Sequence, residues 1–147
     1  MKKIYFASPF FNDEQVEREE RLKKKLRDLG YNVFSPKENV FLSKDATEEE
    51  QQKAFIDNIK NIETCDILFG VTDGKDMGTI WECGYANGIN QNRKNKIKIV
   101  YYCETLNGGQ FNLMLARSAN VIITSFNDMD SFDKLLEKGN KYEGYIE

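Results

Sequence analysis

A short apolar run that ends in a polar, glycine-containing loop and continues as a helix constrains this chain more than any other stretch. It lies between Thr64 and Gly88. The run bounded by Asp66 and Gly70 has no polar alternation, which is the pattern of a strand buried on both faces of a parallel sheet. Thr72-Asp73-Gly74-Lys75 is the loop. From Asp76 onward, apolar or small residues recur at helical spacing (Ile80, Gly84, Tyr85, Gly88, Ile89), so the chain leaves the sheet as a helix. In open α/β sheets ligands sit outside the carboxyl ends of the strands. Asp76 and Glu82 therefore stand where chemistry is expected.

The rest of the chain repeats this alternation. Lys3 to Ala7 is β-rich and ends at Ser8-Pro9, where proline stops the ladder. Asn12-Asp13 can cap a helix that runs to about Leu29, with Val16, Leu22, Leu26 and Leu29 inside, its charged remainder solvated, and Gly30 closing it. Tyr31 to Phe34 is a second strand, broken by Ser35-Pro36, and residues 37–46 read as a polar loop. Thr47 and Glu50 have capping-box spacing for a helix through Ala54, Ile59 and Ile62. Ile97 to Tyr102 and Asn120 to Thr124 are further strands; Phe111 to Ser118 and Asp130 to Lys138 are further helices. Thr105 to Gly109 reads as a flexible loop.

These elements predict one domain over residues 1–147, a flavodoxin-like three-layer α/β sandwich with a five-stranded parallel sheet of order 2-1-3-4-5. That order brings Tyr5, Phe10 and Phe11 to the same crevice as Asp76 and Glu82.

Composition narrows the function. A net charge of -3 offers no basic field for nucleic acid, and no apolar run reaches membrane-spanning length, so neither partner is expected. The first apolar run, Ile4 to Ala7, is too short for a signal-peptide core, which points to a cytoplasmic protein. Cys65, Cys83 and Cys103 are far apart and odd in number, and read as small reduced core residues. Histidine is absent. His-dependent triads are thereby excluded, and acid or base work falls to carboxylates, Tyr, Lys or the substrate. No metal site and no phosphate-gripping glycine loop is signalled.

Each candidate also has a purely structural reading. Glu82, taken to lie in the first turn or so of its helix, is favoured there by the helix dipole whatever its role. Asp76 can be the helix N-cap. Gly84 and Gly88 suit close helix packing. Tyr5 at a strand end can be half-buried packing with a wet hydroxyl, though the same hydroxyl can orient a carboxylate. Phe10 and Phe11 cannot both point inward on an extended segment, so one can face a planar ligand.

Four segments in order resemble the nucleoside 2-deoxyribosyltransferase family: Ile4 to Phe11, Asp66 to Val71, Asp76-x-Gly78-Thr79-x-x-Glu82-x-Gly84-Tyr85-Ala86, and Phe111-Asn112-Leu113-Met114, with Tyr142-Glu143-Gly144 fitting the family's closing residues. The resemblance implies a cofactor-free, oligomeric, flavodoxin-like enzyme that moves 2-deoxyribose between purine or pyrimidine bases. Its substrates would be deoxynucleosides and free nucleobases. Carried over, Glu82 would be the nucleophile at the anomeric carbon and Tyr5 would orient it. Asp76, with Gly78 beside it in the motif, and Asn112 of an adjacent subunit would hold the 5'-hydroxyl, and Phe11 and Met114 would pack around base and sugar. Many members carry an acid where this chain has Asn58, with Asp57 next to it; an amide donates no titrating proton, so Asp57 substitutes or the leaving base is protonated from elsewhere. Gln110 stands where proline is frequent, Glu38 and Asn39 lie in the base-contacting loop, and Glu147 is the last residue. Two rival functions are an N-glycosidase for deoxynucleosides or their 5'-monophosphates and a non-catalytic flavodoxin-like binding or signalling module. Asp76 argues against the monophosphate, because a carboxylate at the 5' position repels phosphate.

Overall fold

The computed structural model describes residues 1–106 and 109–147. Five strands, β1 (Lys3–Ala7), β2 (Asn32–Phe34), β3 (Ile67–Val71), β4 (Lys98–Tyr102) and β5 (Val121–Ile123), pair in the order β2-β1-β3-β4-β5. Every pairing is parallel, with Tyr5 opposite Leu68 and Gly70 opposite Tyr101. The flavodoxin-like order expected from the element alternation is thus the order found.

Strand alternation divides the core. Ile4, Phe6, Ile67, Phe69, Val100, Tyr102 and Val121 face one side, which also buries Leu22 and Leu26 of α1 (Asp13–Asp28) and Phe132 and Leu136 of α6 (Phe132–Lys138). Tyr5, Ala7, Leu68, Ile99 and Tyr101 face the other, with Ile62 of α3 (Glu48–Glu63) and Cys83 and Ala86 of α4 (Met77–Ile89). Partly buried Leu115 and Ala116 of the short α5 (Leu113–Ser118) pack there too. Each of the three cysteines is buried and free.

Local chemistry sets the boundaries. The Asn12 side chain accepts the Gln15 N–H at 2.9 Å and starts α1. Gly30, at φ 96°, closes the same helix in the left-handed conformation that glycine adopts without penalty. Thr47 caps α3 through the Glu50 N–H at 3.1 Å. Ile59 is only partly buried, so Ala54 and Ile62 carry the inward stripe of α3.

Two expectations need correction. Residues 37–46 are not wholly loop, because Pro36–Asn39 forms a one-turn helix, α2, with Pro36 at its first position, where the missing N–H has no helical partner to lose. The charged side of α1 is not wholly solvated either: Arg18, Glu19 and Lys23 are buried. Lys23 Nζ lies 2.8 Å from Glu19 and 2.6 Å from Glu38 of α2, and Ser35 Oγ bonds Glu19 at 3.1 Å. Opposite charges within reach of one another are what makes the burial of Glu19 and Lys23 tolerable. Of the expected Thr105–Gly109 loop, Glu104–Leu106 is a 3-10 turn, and Asn107 and Gly108 lie outside the described residues.

Gly70 controls how closely α4 approaches the sheet. A Cβ there would lie 2.5 Å from Cys83 Sγ and 3.3 Å from the Tyr101 ring, so only hydrogen lets the helix settle against β3. That approach brings the residue before Cys83 over β1.

Candidate active site

Two side chains from distant parts of the sequence meet over β1, where Tyr5 is the middle residue and not the strand end expected from the sequence. Tyr5 is completely buried in β1, stacked on Phe34 with ring centroids 5.6 Å apart, and its hydroxyl donates to Glu82 Oε2. Glu82 is half-buried in the second turn of α4, one turn later than expected. At that depth in the helix the dipole's benefit has faded. Burial pushes the Glu82 carboxyl up to about 7, and the charge of Asp76 adds to the rise; the Tyr5 hydrogen bond opposes both. The Tyr5 hydroxyl is held far above its ordinary value by burial first and then by the Glu82 charge, so it remains a proton donor to the carboxylate.

A stability consequence follows from that shift. Raising a carboxyl from 4.5 to about 7 favours the neutral form in the fold, so the stability Glu82 contributes is full below about pH 4.5 and is lost as pH rises through 7. Glu82→Gln, which is neutral at every pH, is therefore expected to match the parent in urea melts at pH 4.5 and to exceed it at pH 8 by about 1–3 kcal/mol. Equal differences at the two pH values would contradict this.

Asp76 is the N-cap of α4. Its Oδ2 accepts from Thr79 N–H and Thr79 Oγ1, each at 2.9 Å, and its Oδ1 accepts no hydrogen bond among the described residues. A Cβ at the exposed Gly78 would meet Asp76 Oδ2 at 3.5 Å, so the backbone beside the carboxylate is open. Phe10 and Phe11 rings pack 4.9 Å apart, and Phe11 is 72% exposed, which leaves one aromatic face to solvent. On α3, Asp57 is occupied by Lys53 at 2.7 Å, while Asn58 shares the inward stripe of Ala54 and Ile62 and its buried Oδ1 has no partner among the described residues.

Asn112 and Met114 are elsewhere. Asn112 is exposed and caps α5 through Met114 N–H at 2.9 Å and Leu115 N–H at 3.2 Å; Met114 is 75% exposed. Both line a cleft of about 560 Å³ with Lys75, Ile80, Leu106 and Phe111. Ile80 and Glu82 are two residues apart, about 200° around the helix, so this cleft and the carboxylate are on opposite sides of α4. The last residues close the cleft's far wall: Phe111 and Ile146 form a parallel bridge, and Glu147 accepts from the Gln110 side chain.

Gly84 and Gly88 do not pack closely within the chain, since a Cβ at either would meet nothing within 4 Å. They join Met77, Trp81 and Tyr85 on the face of α4 turned from the sheet, where Trp81 stacks on Tyr85 at 5.5 Å and Phe55 of α3 lies 5.8 Å from Trp81. Lys75, with φ 53°, was not signalled: the Asp73-Gly74 pair announces a turn but not a left-handed lysine after it. Among the described residues, no three His, Cys, Asp or Glu side chains cluster as a metal site, and no helix is long and apolar enough to cross a membrane.

The fold and this pair define a flavodoxin-like α/β protein with a tyrosine-bound carboxylate over the face of its sheet. Residues 4–131 match the family model of nucleoside 2-deoxyribosyltransferases, and the chain belongs to that family. Among solved structures it is similar to a 2-deoxyribosyltransferase from the psychrotolerant bacterium Bacillus psychrosaccharolyticus, with 31% identity and a TM-score of 0.82 over 95% of this chain and 98% of that one. A conserved protein from Enterococcus faecalis V583 shares the fold, with 22% identity and a TM-score of 0.61 over 100% of this chain and 82% of that one. Comparison with curated proteins finds no match.

Proposed function

We propose that this protein transfers 2-deoxyribose from one nucleobase to another by double displacement at Glu82. The observation that carries the reading is the Tyr5 to Glu82 hydrogen bond in a half-buried site, on a chain of this family. In the first step a Glu82 oxygen bonds to the anomeric carbon, the bond from that carbon to the base nitrogen breaks, and the base leaves with the electron pair and gains a proton. In the second, the nitrogen of the incoming base bonds to the same carbon, the carbon to Glu82 oxygen bond breaks, and the incoming base loses a proton. Two inversions give net retention, the logic of retaining glycoside hydrolysis.

Tyr5 fixes the attacking oxygen, and the Asp76 oxygen not used in capping holds the 5'-hydroxyl beside Gly78. Phe11 offers its open face to the base. Asn58, facing inward, contacts the base, whereas Asp57 is tied to Lys53. Proton exchange with the base then falls to water or to the substrate, since the amide of Asn58 cannot titrate.

Asn112 and Met114 act in a second copy of the chain. Their separation from Glu82 by the body of α4, their exposure, and the apolar stripe of Met77, Trp81, Gly84, Tyr85 and Gly88 support a homo-oligomer in which one copy completes its neighbour's site. The natural role of such an enzyme is salvage of bases in the cytoplasm, within a single domain spanning the chain.

Incubation with 2'-deoxyinosine and free adenine tests the reading. The expected product is 2'-deoxyadenosine, with the protein eluting above monomer mass. Hypoxanthine without a new nucleoside would identify a hydrolase, and an unchanged mixture across a panel of base pairs would identify a binding module.

A further inference from the structure

A second group of enclosed charges lies on the face of the sheet opposite Glu82. Arg18 of α1 and Asp73, in the loop after β3, are 4% and 1% exposed. Arg18 Nε stands 3.9 Å from Asp73 Oδ1 and 3.6 Å from Glu104 Oε1. Neither that Nε nor that Oδ1 has a hydrogen-bond partner among the described residues. The outer Nη2 of Arg18 pairs with the exposed Glu14 at 2.7 Å, so it is the inner Nε that faces the two carboxylates, and a buried Asp73 oxygen with no hydrogen bond is compensated there by the guanidinium charge. The second oxygen of Asp73 accepts the Thr105 N–H at 2.8 Å. Arg21 reaches Glu104 at 3.0 Å, and the Tyr102 hydroxyl donates to the same carboxylate at 2.7 Å. Helix α1 thereby grips the loop after β3 through Asp73 and the turn after β4 through Glu104.

The gripped loop is strained. Gly74 and Lys75 follow Asp73 at φ 80° and 53°, and a left-handed lysine persists only where its surroundings impose it. Lys75 N–H bonds the Thr72 carbonyl at 3.1 Å, and Thr72 N–H bonds the Tyr102 carbonyl at 2.9 Å. The next residue is Asp76. We propose that Arg18 and Asp73 form a buried clamp that positions the loop between β3 and α4, and through it sets the placement of Asp76 against Glu82. Neither residue touches substrate; both are positioning residues. The consequence for catalysis rests on the transferase reading of Glu82, but the clamp itself is measurable without turnover.

The measurement is the titration of the Glu82 carboxyl by ¹³C NMR. Tyr5 from β1 and Asp76 from the gripped loop are the charged or titratable groups that act on it, with the Cys83 thiol adjacent on α4 and the amide of Asn58 on α3. Asp76 raises the Glu82 midpoint, so a loosened loop lets it fall. Asp73→Asn and Arg18→Met are both expected to lower the midpoint by about half a pH unit or more. A purely through-space effect would instead move the two in opposite directions, because one removes a negative charge and the other a positive one. Thr105→Pro deletes the N–H held by Asp73 together with the side-chain hydroxyl, which Thr105→Val removes alone as the control; the proline changes no charge and is expected to lower the midpoint too, the valine to leave it unmoved. In the transfer assay the same variants, the valine control excepted, are expected to lose about tenfold in kcat. Opposite shifts, or a midpoint that stays at the parent value in the folded variants other than that control, would overturn the clamp. A parent protein inactive on every nucleoside would overturn the function and leave the titration to decide the clamp.

Discussion

Replacing Glu82 with alanine is expected to lower transfer by about 10⁴-fold or more while the fold persists. In the proposed double displacement the carboxylate takes the deoxyribosyl unit between departure of one base and arrival of the next. The chain has no histidine to activate a substitute nucleophile. Asp76 is no substitute either, because one of its oxygens is committed to the N-terminus of α4. Alanine leaves the buried Tyr5 hydroxyl without its acceptor, so the rate loss is read beside Glu82→Gln, which keeps an acceptor there and is expected to lose transfer equally while melting no lower than the parent at pH 8. A large loss of rate with unchanged or increased stability separates loss of chemistry from loss of structure. Residual transfer within about tenfold of the parent would remove Glu82 from the nucleophile's place.

The second large effect belongs to Tyr5. Tyr5→Phe keeps the ring stacked on Phe34 and removes only the hydroxyl that donates to Glu82. Loss of a positioned donor of this kind costs about 10²-fold in kcat. The pH profile carries the diagnostic sign. That hydrogen bond holds the Glu82 carboxyl lower than burial and Asp76 would leave it, so its removal raises the carboxyl further. In the proposed mechanism ionised Glu82 attacks, so activity in the parent is expected to rise as pH passes through about 7. In Tyr5→Phe that rise is expected at higher pH, so the deficit shrinks in alkaline buffer. A profile that merely drops, with its acidic limb unmoved, would assign Tyr5 a packing role.

Much of the architecture is legible along the chain because neighbours in sequence decide it. Apolar runs of four or five residues alternating with 3.6-period segments give the strands and helices, and Asn12, Thr47, Asp76 and Asn112 all sit at helix starts with their side chains bonded to the first turn. The strand order needed one choice more, the order that puts the ends of β1 and β3 together at the switch point, and it is the order found. Contacts between remote segments are another matter. Nothing local tells Lys23 that Glu38 will meet it, or Arg18 that Asp73 waits 55 residues later, so a charged helix face reads as solvated. The turn at Pro36 was hidden by the same proline that breaks the strand before it.

The site shows the same division. The motif from Asp76 to Ala86 marks the carboxylates, but not that Tyr5 would be wholly buried or that burial would outweigh the helix dipole at Glu82. Helical periodicity places Gly84 and Gly88 on one face. It does not say whether that face meets the sheet or the outside, and here it is turned outward beside Trp81 and Tyr85. The choice between Asp57 and Asn58 likewise needs the fold, since adjacent helical residues point about 100° apart.

The central claim is a covalent deoxyribosyl ester on Glu82, and acid quenching during turnover followed by mass spectrometry of the digested protein tests it most directly. The account predicts that the peptide containing Glu82 gains the mass of one 2-deoxyribosyl group with 2'-deoxyinosine alone, and loses it when adenine is added before the quench. Transfer proceeding with that peptide unmodified, or with the sugar on a different residue, would contradict it.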